Sequence, residues 1–258
     1  MSDWNATSYH EVSKPQQAWG RRVLDRVAVE GTEHALDVGC GTGRLTSELA
    51  RRLPRGRVVA VDRSPSMVET AAEWLRTEAP GTALVLADGA ALPFSRAFDL
   101  VFSTATFHWV SDHAALFRSI VTALRPGGRL VAQCGGGPNI ALLHARAERM
   151  MRTRYLQWFD GWRDPWFFAD VESTRRRLAA AGFVDVDVSL EEAPTTFPSA
   201  RAFADFITTV CVRPYLARLP RADHEAFVNE LTVAAAEDAP AFTLDYWRLN
   251  IAARRPRA

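Results

Sequence analysis

The stretch HALDVGCGTGRLTSELA, residues 34–50, decides the fold, because an apolar run passes directly into alternating glycines and then into a helical pattern. Gly39, Gly41 and Gly43 permit backbone conformations and close approaches that a side chain would block. A strand, a glycine turn and a helix in this order are typical of a doubly wound sheet, which binds ligands at the carboxyl ends of its strands. The stretch therefore predicts a ligand site at residues 39–43.

Short apolar runs and amphipathic helical stretches continue to alternate on both sides of this loop. A helix is predicted from Pro15 to Val29. Pro65 suits the first position of a later helix, where Ser66 and Glu69 fit a capping box. Strands are predicted at residues 34–38, 57–61, 83–87, 98–103 and 129–134, and helices at 42–52, from 65 and at 112–124. Strands that alternate with helices predict an α/β fold with a mostly parallel sheet covered on both faces.

The pattern changes after residue 135. Helices are predicted at 139–155 and 171–181, and FVDVDVSL, residues 183–190, alternates strictly, as a half-buried strand near a sheet edge does. Residues 197–239 are predicted to be helical with proline-marked breaks, and FTLDYWRLNIAAR, residues 242–254, predicts a last strand. We therefore expect three parts. They are an N-terminal helical arm (1–30), a core (31–192 and 240–258) and a helical cap insertion (193–239).

Three acidic residues stand at the ends of the first three predicted strands. Asp62 lies about twenty residues past the glycine loop, where an acid accepts hydrogen bonds from ribose hydroxyls. Asp88 closes the third strand, where it can accept from an exocyclic amine such as that of adenine. Asp37 precedes the loop and favours a ligand that carries an amine over one that carries a pyrophosphate. The spacing G-x-G-x-G also differs from the dinucleotide fingerprint, and the loop lacks the Gly-Lys-Ser/Thr ending of phosphate-binding loops.

Composition excludes several classes of partner. The formal net charge is +1, so no overall field favours nucleic acid or an anionic membrane. The three cysteines stand far apart, without zinc-ligand spacing, which argues against a disulfide framework and a metal site. The first residues contain no apolar stretch, and no apolar run approaches the ~20 residues of a membrane helix. We expect a cytoplasmic protein with no metal, no nucleic-acid partner and no membrane partner.

The chain resembles the class I S-adenosylmethionine-dependent methyltransferases. The resemblance rests on LDVGCGTGRLTSEL (36–49), VVAVDRSPSMVETA (58–71), ADGAALPF (87–94), FDLVFSTATFHWV (98–110) and LFRSIVTALRPGGRLV (116–131). It implies a Rossmann-like, seven-stranded sheet with a reversed last strand. Two flanking stretches, WNATSYHEVSKPQQAWG (4–20) and FHWVSDHAALFRSI (107–120), are similar to the trans-aconitate methyltransferase group, which esterifies small carboxylic acids and also carries a helical insertion before its final strand.

The resemblance implies a set of residues for S-adenosyl-L-methionine, which leaves as S-adenosyl-L-homocysteine. The glycines line the methionine part, Asp62 holds the ribose, Asp88 meets the adenine, and Met67 packs on the adenine face. The complete expected set is Asp37, Gly39, Cys40, Gly41, Gly43, Asp62, Arg63, Met67, Asp88, Gly89, Ala90, Thr104, Trp19 and Gln17. The N-terminal arm is implied to fold over the methionine end, where an aromatic ring favours the sulfonium by cation–π attraction.

The methyl acceptor is expected to be a small molecule, most simply a carboxylic acid. A carboxylate, with a pKa near ~4, is already a nucleophile at neutral pH, whereas a phenol, near ~10, gains from a base. His108 is the candidate catalytic residue, as a positioning donor, as a base, or with only a structural role. Substrate candidates are Trp4, Tyr9, His108, Trp166, Arg213 and Tyr215, the last two as clamps for a second acid group.

Other interpretations stay open at this stage. A hydroxyl, amine or carbon nucleophile fits the same core, and so does a non-catalytic protein that binds S-adenosylmethionine. The aromatic cluster in residues 158–167 forms either a pocket wall or the core of the cap. The chain is expected to be a monomer or a homodimer.

Overall fold

A seven-stranded sheet forms the centre of the computed structural model, which describes residues 14–257. Its strands are β1 His34–Val38, β2 Arg57–Asp62, β3 Ala83–Leu86, β4 Phe98–Thr104, β5 Leu124–Gly135, β6 Val184–Glu192 and β9 Trp247–Arg254. The strand order is β3-β2-β1-β4-β5-β9-β6. Neighbouring strands from β3 to β5 are parallel, and β9 runs antiparallel to both β5 and β6. The predicted doubly wound sheet with a reversed last strand is confirmed.

Helices cover both faces of the sheet and form a layer beyond it. They are α1 Lys14–Asp25, α2 Arg44–Arg52, α3 Pro65–Glu78, α4 His113–Ala123, α5 Ala141–Thr153, α6 Val171–Ala180, α7 Ala200–Phe206, α8 Arg213–Leu216 and α9 His224–Ala236. A π-helical turn, Ile207–Cys211, joins α7 to α8, and a short ladder pairs β7 Thr195–Thr196 with β8 Thr243–Leu244. The predicted helices are present, generally with ends shortened by one to a few residues.

Two details differ from the predictions. The capping residue of α3 is Ser64 and not Ser66, because the Ser64 hydroxyl accepts the Met67 N–H at 3.3 Å and leaves Pro65 at the first helical position. The alternation of β6 is broken at Asp185, whose φ is 50°, and the register with β9 shifts there. Val184 is consequently exposed instead of sharing a buried face with Val188.

A large aromatic cluster packs beside the carboxyl ends of the strands. It draws on residues 140–166 as well as on residues 203–246, and it includes Trp19 from α1. The residues of the predicted cap insertion, 193–239, therefore share a core with α5 and the loop after it. The predicted domain boundaries stay a prediction.

No helix in 14–257 is long and apolar enough to cross a membrane. Within the same residues, no group of three or more His, Cys, Asp and Glu side chains could hold a metal ion.

Candidate functional site

A groove opens at the carboxyl ends of β1, β2, β3 and β4, directly over the glycine loop. We call it the loop groove. Its lining residues are Val38, Gly39, Gly41, Val61, Asp62, Arg63, Met67, Ala87, Asp88, Gly89, Thr104, Ala105, Thr106, Trp109 and Val110. The structure thus brings together eight of the residues predicted from the sequence, namely Gly39, Gly41, Asp62, Arg63, Met67, Asp88, Gly89 and Thr104.

Each of the three glycines of the loop is favoured at its position for a different local reason. Gly39 has a φ of 77°, and a Cβ there would collide with the side chain of Thr106. Gly41 has a φ of 53°, and a Cβ there would meet nothing within 4 Å, so it would project into the space of the groove. Gly43 precedes α2 with a φ of 81° and packs against Leu75, outside the lining of the groove. The turn needs all three, and Gly39 and Gly41 face the space that a ligand would occupy.

The acids at the strand ends are held by backbone N–H groups. Asp62 Oδ2 accepts from Gly41 N at 2.9 Å and Oδ1 accepts from Ser64 N at 3.0 Å. Burial raises the pKa of Asp62, against the lowering effect of these hydrogen bonds. Asp88 Oδ1 accepts from Ala90 N at 2.9 Å, so Ala90 acts here through its backbone and does not line the groove. Each carboxylate has lone pairs left for hydroxyl or amine donors of a ligand.

Asp37 is buried beneath the loop, with 2% of its surface exposed. Its Oδ2 accepts from the Thr46 hydroxyl at 2.7 Å. Burial raises the pKa of Asp37 to about 7, and the neighbouring Asp62 adds to that rise, while the Thr46 hydrogen bond opposes it. A cationic amine next to this carboxyl would favour its ionised form.

A second space, which we call the side cavity, continues from the loop groove toward α1. It is lined by Gln16, Gln17, Asp37, Gly39, Cys40, Gly41, Thr42, Arg44, Leu45, Thr104 and Ala105. The predicted residues Gln17, Asp37 and Cys40 lie here. Trp19 does not line it: its ring is 8% exposed, packs edge-on against Tyr246 at 4.8 Å and lies under the Arg248 guanidinium.

A third space, the aromatic cavity, lies between the end of β4 and the aromatic cluster. It is lined by Gln16, Ala105, His108, Trp109, Asn139, Ile140, Trp166, Phe168, Val210, Cys211, Tyr246 and Arg248. Its volume is about 40 Å³, against about 100 Å³ for the loop groove. Ala105 is the residue that all three spaces share in their linings, and it follows the last residue of β4. A group transferred between a ligand of the groove and a ligand of the aromatic cavity would pass beside Ala105.

His108 is fixed in the wall of the aromatic cavity by its backbone and by its ring. Phe167 N–H donates to His108 O at 2.8 Å, and Gly135 N–H donates to His108 Nδ1 at 3.2 Å. Since Nδ1 accepts, the proton of the neutral ring is on Nε2. Burial lowers the pKa of His108 well below its usual value, and the charge of Arg248 lowers it further. His108 is therefore a neutral ring whose Nε2–H is available as a donor, and its one lone pair, on Nδ1, is engaged by Gly135.

Asn139 is oriented in the same manner. Its Oδ1 accepts from Trp247 N–H at 3.0 Å, so its amide NH₂ is the end left to face other groups. Asn139 is 4% exposed, and a Cβ on Gly135 would collide with this amide. Together with His108, Asn139 gives the cavity two donors whose orientation is set by backbone N–H groups.

Arg248 adds a positive charge to this wall. It lies on β9, is 3% exposed and stacks its guanidinium over Trp19 at 4.6 Å. It is the one arginine or lysine among the described residues that line the aromatic cavity, and those residues include no Asp or Glu. Neither Arg248 nor Asn139 was predicted from the sequence. A lone arginine inside the apolar strand YWRLNIAA, residues 246–253, was the available signal for Arg248.

The predicted substrate residues have different outcomes. Trp166 lines the aromatic cavity and is 8% exposed. Tyr215 is buried in the aromatic cluster, where its hydroxyl lies 2.8 Å from His144 Nδ1. Neither Tyr215 nor Arg213 is among the residues that line the three spaces. Trp4 and Tyr9 lie outside the described residues.

Comparisons with known proteins show which sequences this chain is similar to. A model of the methyltransferase domain family matches residues 35–128. A trans-aconitate 2-methyltransferase of Escherichia coli O1:K1 is 31% identical over 261 residues, covering 99% of this chain and 99% of that enzyme. The protein of the same name from Shigella dysenteriae serotype 1 is 30% identical, with the same coverage.

Solved structures show the same fold. A putative methyltransferase from Bacillus halodurans superposes with a TM-score of 0.65 at 18% identity, covering 93% of this chain and 99% of that one. Phosphoethanolamine N-methyltransferase 2 from Haemonchus contortus, solved with S-adenosyl-L-methionine, gives a TM-score of 0.64 at 18% identity. That alignment covers 97% of this chain and 56% of the nematode enzyme, so this chain spans about half of its length.

Proposed function

This chain belongs to the S-adenosylmethionine-dependent methyltransferases, in the family of the trans-aconitate methyltransferases, and from that premise we propose that it methylates a carboxylate oxygen of a small organic acid. The observation that carries the proposal is the polar wall of the aromatic cavity. His108 and Asn139 present N–H donors, and Arg248 presents N–H donors with a positive charge. Donors and a cation around one small space suit an anion with several acceptor lone pairs, as a carboxylate has.

The loop groove fits the methyl donor, and we assign its residues accordingly. A side chain at Gly41 would fill the groove, which explains why the loop has a glycine there. Asp62 would accept from the ribose hydroxyls, Asp88 from the adenine amine, and Met67 would pack on the adenine ring. Asp37 and Gln17 line the side cavity, where the methionine amine would lie. When bound, S-adenosylmethionine supplies an electrophilic methyl group on a sulfonium.

The protein's part in the reaction is alignment. A carboxylate oxygen held beside Ala105 would form the O–CH₃ bond as the C–S bond breaks and its electron pair stays on sulfur. No proton moves in this step, because a carboxylate with a pKa near ~4 is ionised at neutral pH. His108 and Arg248 would orient the acid, and the apolar walls would exclude water from the reacting atoms. A phenol would need a base, and neutral His108, with Nδ1 engaged by Gly135, does not provide one.

A panel of acceptors tests the proposal. Carboxylic acids, phenols and amines are each incubated with the protein and a donor labelled in the methyl group. Label that transfers to acids and is released as methanol by mild base marks an ester, which is the expected result. Label that appears in phenols or amines and resists base would contradict the proposal. Asp62→Asn, which weakens the donor site, is the control that lowers labelling of every true acceptor.

A further inference from the structure

We propose that His113 is a positioning residue for the methyl acceptor, because it fixes the direction in which His108 presents its Nε2–H. The inference rests on the proposed function, in which His108 orients the carboxylate of the acid. His113 is the first residue of α4 and is not among the described residues that line the three spaces. Its effect on the reaction therefore passes through the residues that it holds.

The first contact of His113 is with the peptide group that precedes His108. His113 Nε2 lies 2.9 Å from Phe107 O, six residues earlier. A carbonyl oxygen only accepts, so the ring nitrogen donates. Burial lowers the pKa of His113, which favours a neutral ring with its proton on Nε2. The Phe107 carbonyl belongs to the same peptide group as His108 N, so this bond sets the orientation of that peptide plane.

The second contact acts on the peptide group that follows His108. His108 O accepts from Phe167 N–H at 2.8 Å. The Phe167 ring packs edge-on against the His113 ring, with the centroids 4.8 Å apart at 89°. His113 thus contacts a hydrogen-bonded group on each side of the His108 Cα, while Gly135 N–H engages the ring itself at Nδ1.

The side walls of the His108 ring belong to the same two segments. Trp109 and Phe168 pack against that ring, with centroid distances of 5.5 and 5.7 Å. Trp109 lies in the 3₁₀ turn that is hydrogen-bonded to His113, and Phe168 directly follows Phe167. A change at position 113 would therefore reach the backbone of His108 and both aromatic neighbours of its ring.

Stability alone does not explain a histidine at position 113. The residue is 2% exposed, and its Nδ1 is buried without a hydrogen-bond partner among residues 14–257. A buried polar atom without a partner destabilises the fold, and an apolar side chain would avoid that loss. The Phe107 carbonyl also accepts from Val110 N–H at 2.9 Å, so it is satisfied without His113. What the histidine adds is a fixed direction for the peptide group next to His108.

Two substitutions separate the hydrogen bond from the packing. His113→Leu keeps an apolar body and removes the donor, whereas His113→Gln keeps an N–H at about the reach of Nε2. For the acid of the labelling panel that is methylated fastest, we expect KM to rise by about fivefold in His113→Leu and by less than about twofold in His113→Gln, as one neutral hydrogen bond is lost or kept. Affinity for S-adenosylhomocysteine should stay the same in both.

His224 provides a matched control away from the site. It is the first residue of α9, and its Nε2 lies 3.1 Å from Leu219 O, five residues earlier. His224 is not among the described residues that line the three spaces. His224→Leu should lower the melting temperature and leave the KM for the acid unchanged. An equal rise of KM in both leucine variants, or an equal loss of donor affinity in His113→Leu, would show that His113 only supports the fold.

Nitrogen NMR of the histidine rings gives a readout that needs no turnover. In the parent protein, His113 should show a proton on Nε2, and a proton on Nδ1 would overturn the inference without any variant. The His108 signals, identified by their loss in His108→Ala, should shift in His113→Leu and stay in place in His224→Leu. Unshifted His108 signals in folded His113→Leu would also overturn the inference. A protein that shows the shift but esterifies no acid would refute the proposed function instead, and the support of His108 by His113 would stand.

Discussion

Replacing Arg248 by methionine tests the proposed acid site separately from the proposed donor site. Arg248 is 3% exposed and lines the aromatic cavity, but not the loop groove or the side cavity. Removing one partner of a buried charge pair costs about 2–5 kcal/mol, and each 1.4 kcal/mol is a factor of ten. His108 and Asn139 remain as donors, so we expect the lower half of that range. The KM for the acid should rise by about 10²-fold, and kcat should change less.

The assay measures initial rates with labelled donor over a range of acid concentrations, with calorimetry for S-adenosylhomocysteine. Arg254→Met is the matched control, because it lies on the same strand β9 but is exposed and pairs with Asp185 only at 3.9 Å. Exposed pairs contribute about 0–1 kcal/mol, so this variant should behave as the parent protein does. An unchanged KM in Arg248→Met would refute the assignment. A loss of donor affinity equal to the loss of acid affinity would show that Arg248 supports the fold instead.

Three further predictions concern the loop and the cavity wall. Because burial raises the pKa of Asp37 to about 7, the folded state binds a proton that the unfolded state loses near pH 4. The free energy of unfolding should therefore fall by up to about 4 kcal/mol as pH rises from 4 to 7, and Asp37→Asn should remove this slope in urea titrations; equal slopes would contradict it. Gly39→Ala should lower the melting temperature much more than Gly161→Ala does. Both glycines have positive φ, but only a Cβ at residue 39 would collide with the Thr106 side chain. Similar losses in both variants would show that the turn shifts to accommodate the Cβ. His108→Ala should raise the KM for the acid and keep a flat rate profile between pH 6 and 9, and turnover restored at high pH would indicate a base instead.

The architecture could be predicted because its signals are local. The bounds of β1 agree with the prediction, and those of β2 agree to within one residue, since each strand is a short apolar run next to a turn. Asp62 and Asp88 were placed correctly at the groove because parallel strands bring their carboxyl ends to one edge. The bulge at Asp185 was missed because strict alternation carries no sign of a residue with φ 50°.

The cavity wall was harder to predict because it forms from residues far apart in the chain. Arg248 lies on β9, which inserts between β5 and β6, and the side-chain amide oxygen of Asn139 accepts from Trp247 N–H, 108 residues away. Tyr215 and Trp166 are both aromatic residues of the same buried cluster, yet only Trp166 also lines the cavity. Periodicity alone does not show which members of a buried cluster also border a cavity.

Ala105 lines both the loop groove, whose residues all fall within the matched methyltransferase domain, and the aromatic cavity, which draws partly on residues outside that domain. The domain model matches residues 35–128, which contain the loop groove, whereas Asn139, Trp166 and Arg248 lie outside that range. Under the proposed function, variation in these later residues would change which acceptor is bound without changing the residues that line the loop groove. Ala105 itself tolerates less variation, because a bulkier side chain there would stand between the two bound ligands. Such a variant would bind both ligands without transferring the methyl group. Binding measurements would not detect its loss of turnover.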